Sequence, residues 1–488
     1  MTVTLRNRKD LTLDAARRVG LGGEGVAIGP EAVTAMNRAR ESFMRYLDAD
    51  RTRFVYGVTS GAGQNAKTPV PPDQQRARAA ENRRTFNGAG FGPEAVPERA
   101  VRMIILARLA NYVEGNAKTR PVEAERIASM LDAPIPRLPL TGQLGAGEIL
   151  PLFHIMSAMP DGEVEEAEPM ARINGSPVSA GLAADAALTA RGRLKLATAI
   201  MALSVEGYGA PLAPYDAGLG RRIADPHERA ALTALRAWLE DAPTAGRIDY
   251  QAPVSWRILP TVLGAAEAAV ATLEEVAEIS LSSVTDNPVY VLPDESHPDG
   301  RVMSTGGYHN AAATPAVDAV NARQADLCTL ADRQTMKLFS AEHLPAGLVD
   351  PNGPPYGAGV ISFVQIGFGE EARHAARRTF MPPSEGGGIG GQNDVATTAA
   401  FSYAKNLRSS FCLEASLAVL AAAASQALWV TKREPAPALR PFLDEIRAHV
   451  APVTDRRERD LGADLHALQT RFATLAITGG PNPHSHSR

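Results

Sequence analysis

The segment that says most about the fold reads Gly142-Gln143-Leu144-Gly145-Ala146-Gly147-Glu148-Ile149-Leu150-Pro151-Leu152-Phe153-His154. Its first half is rich in glycine, which favours a loop, and its second half is mostly apolar. Gly145, Ala146 and Gly147 carry no hydroxyl group. Glu148 stands where an acidic side chain can cap a following helix. The segment therefore predicts a loop that leads into a helix.

Helical periodicity dominates the rest of the chain. Apolar residues recur at three-to-four spacing in Val101-Leu109, Asp185-Glu206, Gly264-Leu281, Pro315-Phe339 and Val395-Val430. The last two stretches are long enough to span a subunit or to pack against partners. Patterns typical of strands are scarce, and the clearest predicts a small hairpin of Asn287-Leu292 against Val302-Thr305. These patterns predict a mostly α-helical protein built on a bundle of long helices.

Composition excludes several classes of protein. The chain has 488 residues, 45% of them hydrophobic, which supports a large core. Its net charge of -4, with both signs interspersed, favours neither nucleic acid nor an anionic membrane as a partner. Cys328 and Cys412 lie far apart, each in an apolar stretch of sequence, so we expect both thiols to be buried. Because Met1-Asp10 has no apolar core typical of a signal peptide, we expect a cytoplasmic protein.

Several motifs resemble those of one family, in the family's order, from about Leu11 to Leu417. The segment from Gly142 to His154 resembles Gly-Ser-Val-Gly-Ala-Ser-Gly-Asp-Leu-Ala-Pro-Leu-Ala-His, the signature of the histidine and phenylalanine ammonia-lyases. Similar motifs are Val55-Tyr56-Gly57-Val58-Thr59-Ser60-Gly61-Ala62-Gly63, Ile173-Asn174-Gly175, Gln251-Ala252-Pro253-Val254-Ser255-Trp256-Arg257, Thr285-Asp286-Asn287-Pro288 and Ser304-Thr305-Gly306-Gly307-Tyr308-His309.

The resemblance implies a fold and an assembly. The fold is the mostly α, long-helix bundle of the ammonia-lyase (fumarase/aspartase-like) type, with a smaller N-terminal part rich in loops. We expect residues 1–180 to form an N-terminal loop and helix domain, and residues 181–488 to form the long-helix bundle with the C-terminal helices. The family assembles as a homotetramer in which three subunits contribute to each active site.

The resemblance fails at the family's built-in cofactor. In the family, Ala-Ser-Gly cyclises and the serine loses water, which gives a methylidene-imidazolone electrophile. Here the serine is missing, either by a one-residue deletion or because Ala146 stands in its place. Gly145, Ala146 and Gly147 are therefore a vestigial cofactor loop. We expect no such cofactor, and no motif predicts a bound metal.

The resemblance also assigns roles to individual residues. Tyr56 matches the catalytic base. A tyrosine serves as a base near neutral pH only where donors or positive charge stabilise the phenolate. Asn174 matches an asparagine beside the electrophile. Arg257 matches a carboxylate clamp, because a planar guanidinium grips a carboxylate with two parallel hydrogen bonds. Each also has an ordinary structural interpretation: a packed loop tyrosine, a core amide and a structural ion pair.

Further residues are candidates for substrate binding, and one departs from the family. The resemblance places Phe86, Asn87, Gln251, Tyr308 and Gln392 around the substrate. A tyrosine of the family is replaced by Val254, which removes another hydroxyl. Helix N-termini and the amides of Gly145-Ala146-Gly147 are expected to form an anion pocket in place of the electrophile.

Two functional hypotheses follow. The first is an ammonia-lyase-like enzyme without the cofactor, with Tyr56 as acid and base. It adds or eliminates a nitrogen or oxygen group, within one molecule or between two, on a small amino or carboxylic acid. The second is an inactive homologue that binds a small acid or regulates an active paralogue. A true ammonia-lyase with a differently built cofactor is the least favoured interpretation.

Overall fold

The computed structural model describes residues 2–81, 88–350, 358–384, 393–454 and 459–483. The chain divides into two compact units. The first unit comprises Met1–Ala186, Leu273–Val317 and Thr379–Ala404, and the second comprises Ala187–Thr272, Asp318–Arg378 and Lys405–Arg488. The expected boundary between residues 180 and 181 falls inside an unbroken helix, Pro177–Tyr208. Each unit is thus assembled from segments that are distant along the chain.

Helices make up most of the described chain. In order they are α1 Leu13–Ala16, α2 Pro30–Ala49, α3 Gln75–Glu81, α4 Glu98–Arg108, α5 Pro121–Ser129, α6 Ile149–Met156, α7 Glu168–Ile173, α8 Pro177–Tyr208, α9 Ala217–Gly220, α10 Pro226–Trp238, α11 Val254–Arg257, α12 Leu259–Ser282, α13 Ala313–Ser340, α14 Ile361–Ala375, α15 Ala399–Thr431, α16 Arg440–His449 and α17 Leu461–Ile477. The five helices expected from periodicity correspond to α4, α8, α12, α13 and α15. The prediction of a mostly α-helical chain is confirmed.

The longest helix, α15, is almost entirely buried. It has 33 residues and a stretch with mean hydropathy 1.6, which by length and composition is enough to cross a membrane. Yet 94% of that stretch is buried inside the structure. A helix that is apolar on all sides is what the centre of a large core requires. Its burial therefore accounts for its composition.

The described part of the chain also has four short strands. Strand β1, Thr2–Leu5, pairs in parallel with β2, Gly25–Ile28. Strand β3, Val289–Val291, pairs antiparallel with β4, Arg301–Met303, and this confirms the predicted hairpin. The parallel pair was not predicted.

The first unit has a small apolar cluster beside the loop that carries Tyr56. Buried members of this cluster are Phe43, Leu47, Val55, Val58, Ala167 and Tyr290. The rings of Phe43 and Tyr290 meet edge to face with centroids 5.5 Å apart. Burial of Val55 and Val58 fixes the loop on both sides of Tyr56.

The two cysteines behave as expected from their apolar surroundings. Cys328 and Cys412 are both buried and unpaired. Burial raises the pKa of the Cys328 thiol to about 12, because the charged thiolate is poorly solvated there. Neither thiol is therefore placed for chemistry.

Candidate functional site

A cavity of about 430 Å³ lies in the first unit. Five residues predicted from the sequence share it: Tyr56, Ala146, Gly147, Asn174 and Tyr308. The other lining residues are Phe54, Ala62, Gly63, Ala66, Lys67, Glu148, Ile149, Phe153, Met170, Ile173, Gly175, Asn287, Ser304 and Asn393. A cavity of this size can hold a small organic molecule.

Tyr56 is positioned by a tightly bonded loop. The hydroxyl of Thr59 accepts from the amide of Val55 at 2.8 Å and donates to the carbonyl of Arg53 at 2.5 Å. Gly57 has a φ of +72°, and a Cβ at this position would lie 2.2 Å from Cγ of Met170. Only glycine fits there without strain. These contacts therefore fix the backbone on both sides of Tyr56.

The hydroxyl of Tyr56 receives one hydrogen bond. The backbone amide of Gly63 donates to it at 3.1 Å. A backbone donor of its own loop therefore holds the Tyr56 hydroxyl at the cavity.

The vestigial cofactor loop is held from one side. The amide of Thr397 donates to the carbonyl of Gly145 at 2.9 Å, and the Thr397 hydroxyl donates to the carbonyl of Gly147 at 3.1 Å. The ring of Tyr308 lies 3.5 Å from the position that a Cβ on Gly147 would take. Ala146 lines the cavity between the two glycines. In the ungapped alignment, Ala146 therefore lines the cavity at the position of the family's reactive serine.

Asn174 is buried and is held by two partners. Its side-chain Nδ2 donates to the carbonyl of Asn287 at 2.6 Å. Its own carbonyl accepts from Nη1 of Arg108, which is fully buried at the end of α4. Nε and Nη2 of Arg108 have no hydrogen-bond partner among the described residues. Asn174 therefore lies between the cavity and a buried positive charge.

Glu148 does not cap the helix that follows it. Its carboxylate accepts from the amides of Val178 at 2.6 Å and Ser179 at 2.8 Å, and from the Ser179 hydroxyl. The side chain thus caps α8 instead of α6, for which it makes no capping hydrogen bond. Burial raises the pKa of Glu148 to about 7, against the opposing effect of these hydrogen bonds and of Arg108.

This capping corrects the expected anion pocket. Helix N-termini attract anions because their first amides are unsatisfied. At α8 those amides already bind Glu148, so this helix has little left to offer a ligand. The N-terminus of α8 is therefore not available for the expected anion pocket, because a carboxylate of the chain itself takes that place. The expected role of the Gly145-Ala146-Gly147 amides stays a prediction.

Several cavity residues are not predicted from the sequence. Lys67 follows Tyr56 in the same loop and carries a positive charge. Ser304 donates from its hydroxyl to Oδ1 of Asn287 at 3.1 Å, so both line one wall. The sequence signal for Lys67 is its place in the glycine-rich loop, and that for Ser304 and Asn287 is their place in motifs that resemble the family's.

Arg257 and Gln251 belong to the second unit. They are absent from the described residues that line the cavity of the first unit. Gln251 is exposed, and Arg257 is partly buried with its Nε lacking a hydrogen-bond partner among the described residues. The chain shows no ion pair of Arg257 within its described part, so the alternative of a structural ion pair gains no support.

Arg257 is nevertheless held in a rigid segment. The indole nitrogen of the neighbouring Trp256 donates to the Ser204 hydroxyl at 3.1 Å, and Gln334 donates to the carbonyl of Ser255 at 2.8 Å. Trp256 is fully buried and stacks on Tyr208 with centroids 4.0 Å apart. Packing therefore fixes α11, and with it the backbone of Arg257.

Three predicted residues cannot be placed. Phe86, Asn87 and Gln392 lie outside the described residues. Within the described residues, no group of three or more His, Cys, Asp or Glu side chains could hold a metal ion.

A second cavity of about 400 Å³ in the second unit is lined by α8, α10, α12 and residues 481–483, and none of the predicted site residues lines it.

Known proteins resemble this chain over most of its length. A family profile described as "Aromatic amino acid lyase" matches residues 11–168 and 161–448. Histidine ammonia-lyase of Streptococcus gordonii is 26% identical over 477 residues, which span 90% of each protein. Histidine ammonia-lyase of Streptomyces avermitilis is 30% identical over 396 residues, covering 73% of this chain and 75% of that protein.

Solved structures share the fold. The ergothioneine-degrading enzyme ergothionase of Treponema denticola has a TM-score of 0.87 at 17% identity, over 98% of this chain and 99% of that one. Histidine ammonia-lyase of Trypanosoma cruzi has a TM-score of 0.82 at 20% identity, over 99% of this chain and 96% of that one. The predicted helical bundle of the ammonia-lyase type is confirmed. By its profile match over most of the sequence, the chain is a lyase that belongs to the aromatic amino acid lyase family.

Proposed function

We propose that this protein is an ammonia-lyase-like enzyme that works without the methylidene-imidazolone cofactor. It catalyses the addition or elimination of a nitrogen or oxygen group on a small amino or carboxylic acid, intramolecular cyclisation included. The observation that carries this proposal is the cavity itself. Tyr56 and Asn174 line it together with a loop whose Gly145, Ala146 and Gly147 carry no hydroxyl.

The residues of the loop do not fit the family's cofactor. Its methylidene carbon comes from a serine hydroxymethyl group, and Ala146 offers only a methyl. In the family the ring closes on the carbonyl of the first residue. The equivalent carbonyl of Gly145 accepts a hydrogen bond from Thr397. No step of the proposed reaction therefore passes through this group.

The proposed step is a proton-coupled elimination. Tyr56 acts as the base and takes a proton from the carbon next to the one that bears the leaving nitrogen or oxygen. The electron pair of that C–H bond becomes the new double bond, and the leaving group departs with the electrons of its own bond. Addition is the same step in reverse. General acid–base catalysis of this kind is worth about 10²–10⁴-fold in rate.

The absent electrophile limits the substrates. The methylidene group activates an otherwise weakly acidic benzylic proton, so a plain aromatic amino acid is a poor substrate for Tyr56 alone. The proposed substrate therefore has an acidic C–H bond or, in the direction of addition, an activated double bond. Asn174 supplies a neutral amide beside the reacting centre.

We also propose a cytoplasmic homotetramer with shared active sites. Arg257 has no ion pair within the described part of its own chain, which suits a clamp for a substrate carboxylate bound in a neighbouring subunit's cavity. Apolar side chains exposed on α14 favour assembly as well: Phe363 is 68% exposed, Val364 50% and Ile366 49%. Exposed apolar patches of this kind are typical of protein interfaces.

Two measurements on the purified protein test the proposal. Intact mass spectrometry should give the mass of the unmodified sequence, and turnover should be found in a panel of amino acids, hydroxy acids and unsaturated acids. A mass lower by two waters would contradict the cofactor-free mechanism. Thermal stabilisation by one acid without conversion of any would favour the alternative, an inactive homologue that binds a small acid or regulates a paralogue.

A further inference from the structure

We infer that Lys67 binds the carboxylate of the substrate in the cavity that also contains Tyr56, as a second cation beside the Arg257 clamp proposed for a neighbouring subunit. This inference rests on the proposed function and specifies the substrate class. Lys67 lines the cavity eleven residues after Tyr56, in the same loop. Lys67 and Tyr56 belong to the same chain and the same unit. The Lys67 ammonium group can therefore contact a bound acid without a contribution from a second subunit.

Backbone hydrogen bonds hold the part of the loop that carries Lys67. The amide of Thr68 donates to the carbonyl of Asn65 at 2.9 Å, and the amide of Gly61 donates to the carbonyl of Thr68 at 2.9 Å. The amide of Val70 donates to the carbonyl of Thr59 at 2.8 Å. The backbone of Lys67 is therefore fixed relative to Tyr56, although its side chain is exposed.

Charge in the cavity is distributed unevenly. Among the described lining residues, only Lys67 and Glu148 carry a formal charge. Glu148 is occupied by the amides of Val178 and Ser179. Lys67 makes no ion pair or hydrogen bond within the described residues. An ammonium group without a partner beside a cavity attracts an anion. Its usual partner is a carboxylate, to which it donates a charge-assisted hydrogen bond.

The remaining lining describes the rest of the ligand. Large apolar side chains line the cavity: Phe54, Ile149, Phe153, Met170 and Ile173. They favour a ligand with an apolar body, which leaves water when it binds. The substrate class is therefore an amphiphilic acid, with its carboxylate at Lys67 and an apolar body against this wall.

Lysine labelling tests the inference without any need for turnover. Reductive methylation of the whole protein is quantified at each lysine by mass spectrometry, with and without 3-phenylpropanoate or trans-cinnamate. The primary amides of both acids serve as neutral controls, and exposed Lys9 is the internal control. We expect the acids, and not the amides, to slow labelling of Lys67 by about tenfold at saturation while Lys9 is unaffected. Equal labelling of Lys67 with every acid and its amide would overturn the inference.

Kinetics then separate a binding role from a structural one. With an acid substrate found in the turnover panel, Lys67→Met should raise KM by about tenfold or more, and Lys67→Arg should restore most of it. The same loss in both variants, or a KM unchanged in Lys67→Met, would contradict a carboxylate partner. Protection of Lys67 without turnover leaves this binding site standing and rejects the proposed elimination. Turnover without protection of Lys67 rejects this binding site and leaves the proposed elimination standing.

Discussion

Glu148 both lines the cavity and caps the N-terminus of α8. Two backbone amides and one hydroxyl bind its carboxylate, and Arg108 contributes a favourable charge. Burial nevertheless outweighs these contacts and raises its pKa to about 7. Glu148 therefore links the ionisation of a buried group to the stability of the first unit.

The stability of the protein should consequently depend on pH through Glu148. A carboxyl whose pKa is raised on folding stabilises the folded state while it is protonated, and this contribution is lost as pH rises from about 4.5 through about 7. The loss is of the order of 3 kcal/mol. We expect the free energy of unfolding of Glu148→Gln, measured by denaturant titration between about pH 5 and pH 8, to lack this decline.

The matched comparison uses Ser179→Ala. This variant removes one donor to Glu148 but keeps the carboxyl, so the decline with pH should remain. If Glu148→Gln and the unmutated protein show the same dependence on pH, the carboxyl of Glu148 does not titrate in this range.

At the scale of elements, the loop that carries Tyr56 depends on glycine geometry. Gly57 and Gly63 both have positive φ angles, +72° and +58°. A Cβ on Gly57 would collide with Met170, whereas nothing lies within 4 Å of a Cβ on Gly63. Two alanine variants therefore distinguish backbone strain from steric collision in one loop.

We expect Gly57→Ala to lower the free energy of unfolding by about 2–4 kcal/mol, since strain and overpacking add. Gly63→Ala should lower it by only about 1 kcal/mol, because strain acts alone. Displacement of Tyr56 should also reduce turnover in Gly57→Ala more than in Gly63→Ala. Equal effects of the two variants on stability would show that Met170 moves aside at no cost.

The long helices could be predicted from the sequence, but their ends could not. Periodicity over many residues without internal proline or glycine indicated α15 nearly to its last turn. The start of α8 was placed eight residues late, at Asp185 instead of Pro177, because the side chain that caps it, Glu148, is distant in sequence. Strands β1 and β2 were missed since four residues each give too weak a pattern.

The candidate site was predictable where motifs mark single loops. Tyr56, Asn174, Tyr308, Ala146 and Gly147 line one cavity, while their roles in catalysis and binding stay a prediction. The side chain of Lys67 could not be assigned in advance, because no pattern says which way a loop lysine points. Arg257 lies in the second unit and is not among the described residues that line this cavity, and its sequence motif does not indicate that separation.

In the whole molecule, the second unit exposes several large apolar side chains. Phe363, Val364 and Ile366 lie on one helix, α14, and Tyr250 beside Gln251 is 87% exposed. A subunit interface would remove this surface from water, with a gain of about 25 cal/mol per Å².

We therefore expect the protein to be tetrameric in size-exclusion chromatography with light scattering. Phe363→Asp should shift it towards smaller species, because a charge on an apolar contact must be buried unpaired. Glu240→Lys, at an exposed polar position of the same unit, should leave the assembly unchanged. An unmutated protein that runs as a monomer, or a Phe363→Asp variant that stays tetrameric, would contradict this interface.

The measurement that bears most directly on the proposed chemistry compares kcat of the unmutated protein with that of Tyr56→Phe, on the best acid of the turnover panel. Tyr46→Phe is the matched control, since Tyr46 lies on α2 and is not among the residues that line the cavity. We expect Tyr56→Phe to lose about 10²–10⁴-fold in kcat at unchanged thermal stability, and Tyr46→Phe to lose little. A kcat that is the same in Tyr56→Phe and in the unmutated protein would contradict proton transfer by Tyr56.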